Sequence, residues 1–265
     1  MGDDAMMFAT VSTGVKGGGF DGRFLRATDD DQFFEYDEEE AINYELGIKS
    51  TLLDGAMTLN WAAFYTEYSD LQTAIFKGVG FNVKNAAESE VQGIELDLMW
   101  QATENLLIGG NAAWLDAEYK SFKDGPCTAI QLDVDSACGT DLGTTRNDLS
   151  GEPTLYASDY SAALFFNYER DFGSNMTWFF GADVNYRDDF NSAGDNDPID
   201  VMPSYTKVNA RIGVRGEQWE VMAYGRNIFD EEAFAQGFDT PVLAGSHTQF
   251  MEEGEIWGAK FLFRF

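Results

Sequence analysis

Hydrophobic and polar side chains alternate at period two through much of this chain, the pattern of strands that meet an apolar phase on one face and water on the other. Leu59, Trp61, Ala63 and Tyr65 share one face, with Thr58, Asn60 and Thr66 opposite. The same rhythm sets Ile94, Leu96, Leu98 and Trp100 against Glu95 and Asp97, and Trp178, Phe180, Ala182, Val184 and Tyr186 against Asp183, Asn185 and Arg187. Val208, Ala210, Ile212 and Val214 oppose Lys207, Asn209 and Arg211, and Trp257, Ala259, Phe261, Phe263 and Phe265 oppose Lys260 and Arg264.

These runs predict an all-β, antiparallel chain of about ten strands. They fall at roughly residues 4 to 15, 41 to 53, 56 to 72, 80 to 100, 105 to 120, 154 to 170, 175 to 188, 203 to 216, 217 to 230 and 255 to 265. Tight connections alternate with long ones. Asp54-Gly55, Gln101 to Glu104, Asp171 to Ser174 and Gly216-Glu217 join strands closely, whereas roughly residues 16–40, 121–153, 188–202 and 231–254 are long and rich in Gly, Asp and Glu. Short turns on one rim and long loops on the other describe a transmembrane barrel of the outer-membrane type. Trp61, Tyr65, Trp100, Trp114, Trp178, Tyr186, Trp219 and Trp257 fall towards predicted strand ends, where interfacial aromatic girdles belong.

Composition narrows the classes. With 46 acidic and 17 basic residues the net charge is −29, which repels a phosphate backbone, so nucleic acid is not an expected partner. No stretch is apolar enough for a spanning helix, and the mean hydropathy of −0.29 is hydrophilic. A barrel tolerates that average, because only alternate positions of each short strand face lipid. The start, MGDDAMMFATVSTG, lacks the basic and apolar regions of a secretory signal, so a secreted protein's true start is expected upstream. Cys127 and Cys138 lie close together in a loop-like stretch with no histidine or further cysteine nearby to complete a zinc site, which favours a local disulfide.

Several stretches resemble the carboxy-terminal barrel region of TonB-dependent receptors, across nearly the whole chain. They are MFATVSTGVKGGGF; INYELGIKSTLLDGAMTLNWAAFYTEYSDLQ with Tyr44, Glu45, Gly47 and Lys49; NVKNAAESEVQGIELDLMW; and YGRNIFDEEAF before a final strand ending on Phe265. The resemblance implies residues 1–265 as one domain, the last ten or so strands of a 22-stranded barrel whose plug and earlier strands lie elsewhere. In that frame Glu45, Lys49, Glu95, Asp97, Asp183, Arg187, Lys207, Arg211, Lys260 and Arg264 line the lumen. Trp61, Tyr65, Trp100, Trp114, Trp178, Tyr186, Trp219, Trp257, Phe261, Phe263 and Phe265 meet lipid. The expected partners are outer-membrane lipid, the plug, the TonB complex and a scarce nutrient such as an iron-siderophore, cobalamin or an oligosaccharide.

Other motifs read as structure. The run Gly17, Gly18, Gly19, Phe20, Asp21, Gly22 lacks the Lys-Ser/Thr ending of a phosphate loop and reads as a flexible turn. Asp29, Asp30, Asp31, the run Asp37 to Glu40, and Asp195, Asp197 and Asp200 could hold Ca²⁺, but solvated loop surface is favoured and no metal or cofactor is expected. Glu95 and Asp97 imitate a glycosidase pair, yet similar charges recur on most strands. His247 is the only histidine, sits in a predicted loop, and is not expected to be catalytic. Phe33, Phe34, Phe122, Phe234 and Phe238 either contact ligand or pack within loops. Two alternatives stay open: a self-contained ten-stranded barrel, such as a protease using His247, and a soluble secreted carbohydrate-binding β protein.

Overall fold

The computed structural model describes residues 4–21, 35–77, 80–128, 130–131, 138, 147–240, 243 and 245–265; Gly22, Asp29, Asp30, Asp31, Phe33 and Phe34 lie outside them. Ten long strands run in chain order: β1 (Ala5–Lys16), β2 (Glu39–Leu52), β3 (Met57–Lys77), β4 (Gly80–Thr103), β5 (Leu106–Ser121), β6 (Tyr160–Phe172), β7 (Met176–Arg187), β8 (Tyr205–Arg215), β9 (Trp219–Arg226) and β10 (Ile256–Phe263). They form one antiparallel meander in which sequence order is spatial order. Strands β1 and β10 are its two edges, so the sheet is an open wall.

The connections β2–β3, β4–β5, β6–β7 and β8–β9 are short and share one rim, while on the opposite rim only two residues separate β3 from β4. Between β2 and β3, Leu53, Asp54 and Gly55 all take positive φ, of 55°, 55° and 92°, which suits Asp-Gly and strains leucine. Strand β3 outruns its expected end and stays laddered to β4 up to Lys77, past an irregularity at Asp70 (φ 54°). Strand β6 begins at Tyr160 instead of near 154, because Tyr156 adopts φ 63° and breaks the ladder. Strand β9 stops at Arg226 instead of near 230: Asn227 and Asp230 have positive φ, and Asn227 Oδ1 accepts the Glu231 N–H at 2.9 Å, closing a turn over Asn-Ile-Phe-Asp.

The long connections are less irregular than expected. Short antiparallel ladders join Gly19–Phe20 to Glu35–Tyr36, Phe190–Asn191 to Val201–Met202, and Phe234–Asp239 to His247–Met251. The glycine run is thus partly strand, with Gly18 and Gly19 so close to Tyr36 that a β-carbon at either would collide with it.

Both buried apolar clusters lie at this loop end. One joins Ala87, Tyr119, Phe122 and Leu149, the other Phe190, Met202, Ala233 and Phe234. Phe122 and Phe234 therefore pack within the loops, while Phe238 sits against Phe250 with ring centroids 5.9 Å apart. Among the described residues no such core covers the rest of the sheet, and one of its faces exposes Leu46, Ile94, Leu164, Val184, Ile212 and Phe261.

Candidate functional site

The register sorts side chains into two continuous fields. One row runs Lys49, Asn60, Asp97, Asn111, Ala163, Asn185, Lys207 across seven strands. The adjoining row on the other face runs Ile48, Trp61, Leu96, Ala112, Ala162, Tyr186, Thr206. By the same alternation Glu45, Glu95, Asp183, Arg187, Arg211 and Lys260 share the polar face, and Arg264 follows the last residue of β10.

Trp100, Trp178, Trp219, Phe261 and Phe263 lie on the apolar face near the short-turn rim. Tyr65 and Trp114 lie 8 residues along their strands from that rim, and Tyr186 lies 10. At about 3.3 Å per residue and about 40° of tilt, 8 residues separate two aromatic levels by about 20 Å, close to the height of an apolar barrel band. Trp257 stands at the loop-side start of β10, and Phe265 lies beyond that strand, edge-on to Phe263 with ring centroids 5.2 Å apart.

The polar face is cross-linked. Asp183 Oδ2 accepts from Asn185 Nδ2 at 2.8 Å and Asn209 Nδ2 at 2.7 Å, and Arg211 donates to Asn167 Oδ1 at 2.5 Å. These groups and Lys260 line an open concavity of about 690 Å³. Higher up, the face is tied to the loops. Arg187 donates to Ser158 Oγ at 2.9 Å and the Tyr156 carbonyl at 2.7 Å, with its guanidinium 3.8 Å from the Phe190 ring centre. Lys207 pairs with Glu252 at 2.5 Å.

The loops hold two further devices. Cys127 and Cys138 are disulfide-bonded, with Cα atoms 6.1 Å apart. Between β7 and β8, Asp195, Asp197 and Asp200 are only 8%, 3% and 1% exposed, which corrects the expectation of a solvated surface there. The run at 37–40 behaves otherwise: Asp37, Glu38 and Glu40 are exposed, and Glu39 pairs with Lys16 at 3.2 Å.

Burial of the second cluster comes from chain remote in sequence. The hairpin between β9 and β10 sets Asp239 directly opposite His247. His247 Nδ1 lies 3.3 Å from both Asp200 Oδ2 and Asp239 Oδ1. Burial, reinforced by the neighbouring Asp239 and Asp200 charges, pushes the Asp195 carboxyl up to about 7. Asp200 is raised by burial, against the pull of His247. For His247 burial acts downward, but its bond to Asp200 and the surrounding carboxylates outweigh that and raise it. Asp239 was missed in the sequence because nothing local marks it; only the pairing of 234–239 with 247–251 brings it to His247. The protease alternative would place its chemistry at His247, whose side chain is 13% exposed.

A ten-stranded antiparallel wall with one polar and one apolar face, short turns on one rim and packed loops on the other, defines the wall of a β-barrel. The chain belongs to the family described as TonB dependent receptor-like, beta-barrel, whose model matches residues 2–228. Over 135 residues, 51% of this chain and 18% of the relative, it is 31% identical to the metal-pseudopaline receptor CntO of Pseudomonas aeruginosa. Over 96 residues, 35% of this chain and 12% of the relative, it is 35% identical to a probable TonB-dependent siderophore receptor, PiuA, of Acinetobacter baumannii.

Two solved structures share the fold. The ferric yersiniabactin uptake receptor FyuA of Yersinia pestis superposes with TM-score 0.75 at 20% identity, covering 100% of this chain and 36% of that one. The siderophore receptor PiuA of Acinetobacter baumannii gives 0.70 at 21%, covering 98% and 33%. The chain thus spans about a third of these structures' length, 36% and 33%. These relatives are receptors by name, not enzymes.

Proposed function

We infer that residues 1–265 form the carboxy-terminal part of the wall and outer loops of an outer-membrane receptor that takes up a metal chelate of the siderophore class, energised through TonB. The observation that carries this reading is the two-faced register: an apolar field with two aromatic levels suits lipid, and a hydrogen-bonded polar field suits a water-filled lumen and a plug. In this reading Glu45, Lys49, Glu95, Asp97, Asp183, Lys207, Arg211 and Lys260 face that lumen. The choice of a metal chelate over cobalamin or an oligosaccharide leans on the relatives named for metal-pseudopaline and siderophore uptake. The mechanism asked of the wall is passive. It holds the loops at a fixed height over the lumen, and release inward depends on energy acting on a plug, since a ligand alone shifts only the states it binds differently.

The test is accumulation of radiolabelled iron or zinc supplied as a chelate to metal-starved cells. Deleting the gene is expected to abolish uptake of at least one chelate, and deleting tonB to do the same. Unchanged uptake of every siderophore-type chelate in the gene deletion, with cobalamin or oligosaccharide uptake lost instead, would overturn the choice of cargo.

A further inference from the structure

We propose that Asp197, Asp239 and His247 are ligands of a resident divalent metal ion, flanked by Asp200, that clamps the loop between β7 and β8 onto the hairpin between β9 and β10. The candidate ligand atoms of these three residues all lie within 4.8 Å of one another, the spacing of atoms that share one ion.

The second observation is that the carboxylates are aimed inward with oxygens left over. Asp197 is 3% exposed; its Oδ1 is committed to the Ile199 N–H at 3.0 Å, capping the short turn Pro198–Asp200, while its buried Oδ2 has no hydrogen-bond partner. Asp200, 1% exposed, likewise leaves Oδ1 without a hydrogen-bond partner, and the buried Oδ1 of Asp239 has none beyond the imidazole 3.3 Å away. Unsatisfied buried carboxylate oxygens are costly and uncommon in native proteins. The imidazole does not resolve this: one Nδ1 proton serves at most one of the two carboxylates that lie 3.3 Å from it. One imidazole is the only basic group beside Asp197, Asp200 and Asp239, and among the described residues no Lys or Arg pairs with any of them. A dication answers both the charge and the orphaned oxygens.

The surroundings are built to keep that geometry. Ser192 donates to the Asp200 carbonyl at 2.5 Å and accepts the Gly237 N–H at 2.9 Å, stitching the two loops together beside the cluster. A β-carbon on Gly237 would sit 2.8 Å from Asp200 Oδ1, so only glycine lets the hairpin approach this closely. The side chains of His247 and Asp239 are 13% and 25% exposed, which gives an ion a route in. An imidazole beside carboxylates suits Zn²⁺ or Mn²⁺; Ca²⁺ takes six to eight oxygens and no nitrogen. The proposal is independent of what the receptor carries, because this ion is part of the loops.

The full chain, purified in detergent without a histidine tag and stripped with chelator, is titrated with Zn²⁺ and separately with Mn²⁺. The expected result is one equivalent bound, with affinity falling at least tenfold in Asp197→Asn and in Asp239→Asn, and unchanged in Glu40→Gln at the exposed acidic run. His247 is the only histidine in the sequence, so its ring resonances should shift with Zn²⁺ and broaden with Mn²⁺ in the unmutated protein. That readout needs no variant to fold. Failure to bind either ion stoichiometrically, equal binding by Asp239→Asn, or imidazole signals that ignore the titration would each overturn the proposal.

Discussion

The wall and the loop cap of this molecule solve the same problem by opposite means. In the wall, strands β2 to β9 leave Ile42, Leu46, Ile94, Leu164, Val184, Ile212 and Val221 exposed on one face, with order supplied by backbone ladders. In the cap, Phe122, Leu149, Phe190, Met202 and Phe234 are withdrawn into two small cores, as in a water-soluble protein. The difference teaches where each region finds its hydrophobic stabilisation. The cap excludes water with its own side chains, whereas on the proposed reading the wall draws on the apolar phase of a membrane.

The largest expected effect breaks the cap alone. Phe122→Ala, at a side chain 2% exposed and packed on Tyr119 with centroids 5.0 Å apart, should cost about 3–5 kcal/mol of local stability. Limited proteolysis and hydrogen exchange should find it confined to the β5–β6 loop and neighbouring strand tips. Spread of the loss to the short-turn rim would show that wall and cap fold as one unit.

Next comes the wall. Leu164 is 56% exposed, and a Leu→Arg change at such a site on a soluble protein would be nearly neutral. In a bilayer it should cost about 2–4 kcal/mol, read from folding into lipid vesicles. Asn111→Arg, on the opposite face of the neighbouring strand, should cost much less.

Reducing the Cys127–Cys138 bond sharpens the contrast. It closes a loop of about a dozen residues, so its loss should remove about 2–3 kcal/mol from the cap, seen as faster proteolysis there, and leave vesicle insertion of the wall unaltered. The smallest effect lies at the turn rim. Leu53 holds φ 55°, and Leu53→Gly should gain about 0.5–1 kcal/mol in equilibrium unfolding if the left-handed penalty outweighs the added chain entropy.

The same contrast decides what could be read from sequence. All ten strands of the wall were legible because apolar and polar residues alternate along them, so Trp61 and Asn60, or Ile212 and Arg211, carry their assignment in adjacent letters. Boundaries failed where a single backbone conformation intervened, as at Tyr156 and Asn227, since a left-handed residue leaves no periodic trace. The cap was barely legible. Its hairpins are too short to show alternation, and its burial depends on pairs remote in sequence, such as Asp200 with His247 and Gly237 with Ser192. Acidic residues in a Gly- and Asp-rich stretch therefore read as solvated when the fold buries them. The cysteine pair was the exception, because proximity and the absence of other ligand types sufficed to suggest a bond.

The most direct test of the central claim, that the two faces of the wall meet different solvents, is spin labelling of the full chain reconstituted in lipid. Single cysteines at successive positions 208 to 214 of β8, in a background without Cys127 and Cys138, would be scored for collision with oxygen and with a water-soluble nickel complex. The account predicts strict alternation: oxygen dominates at Val208, Ala210, Ile212 and Val214, and nickel at Asn209, Arg211 and Gly213. Equal access of the nickel complex to both sets would contradict it and return the chain to the soluble class.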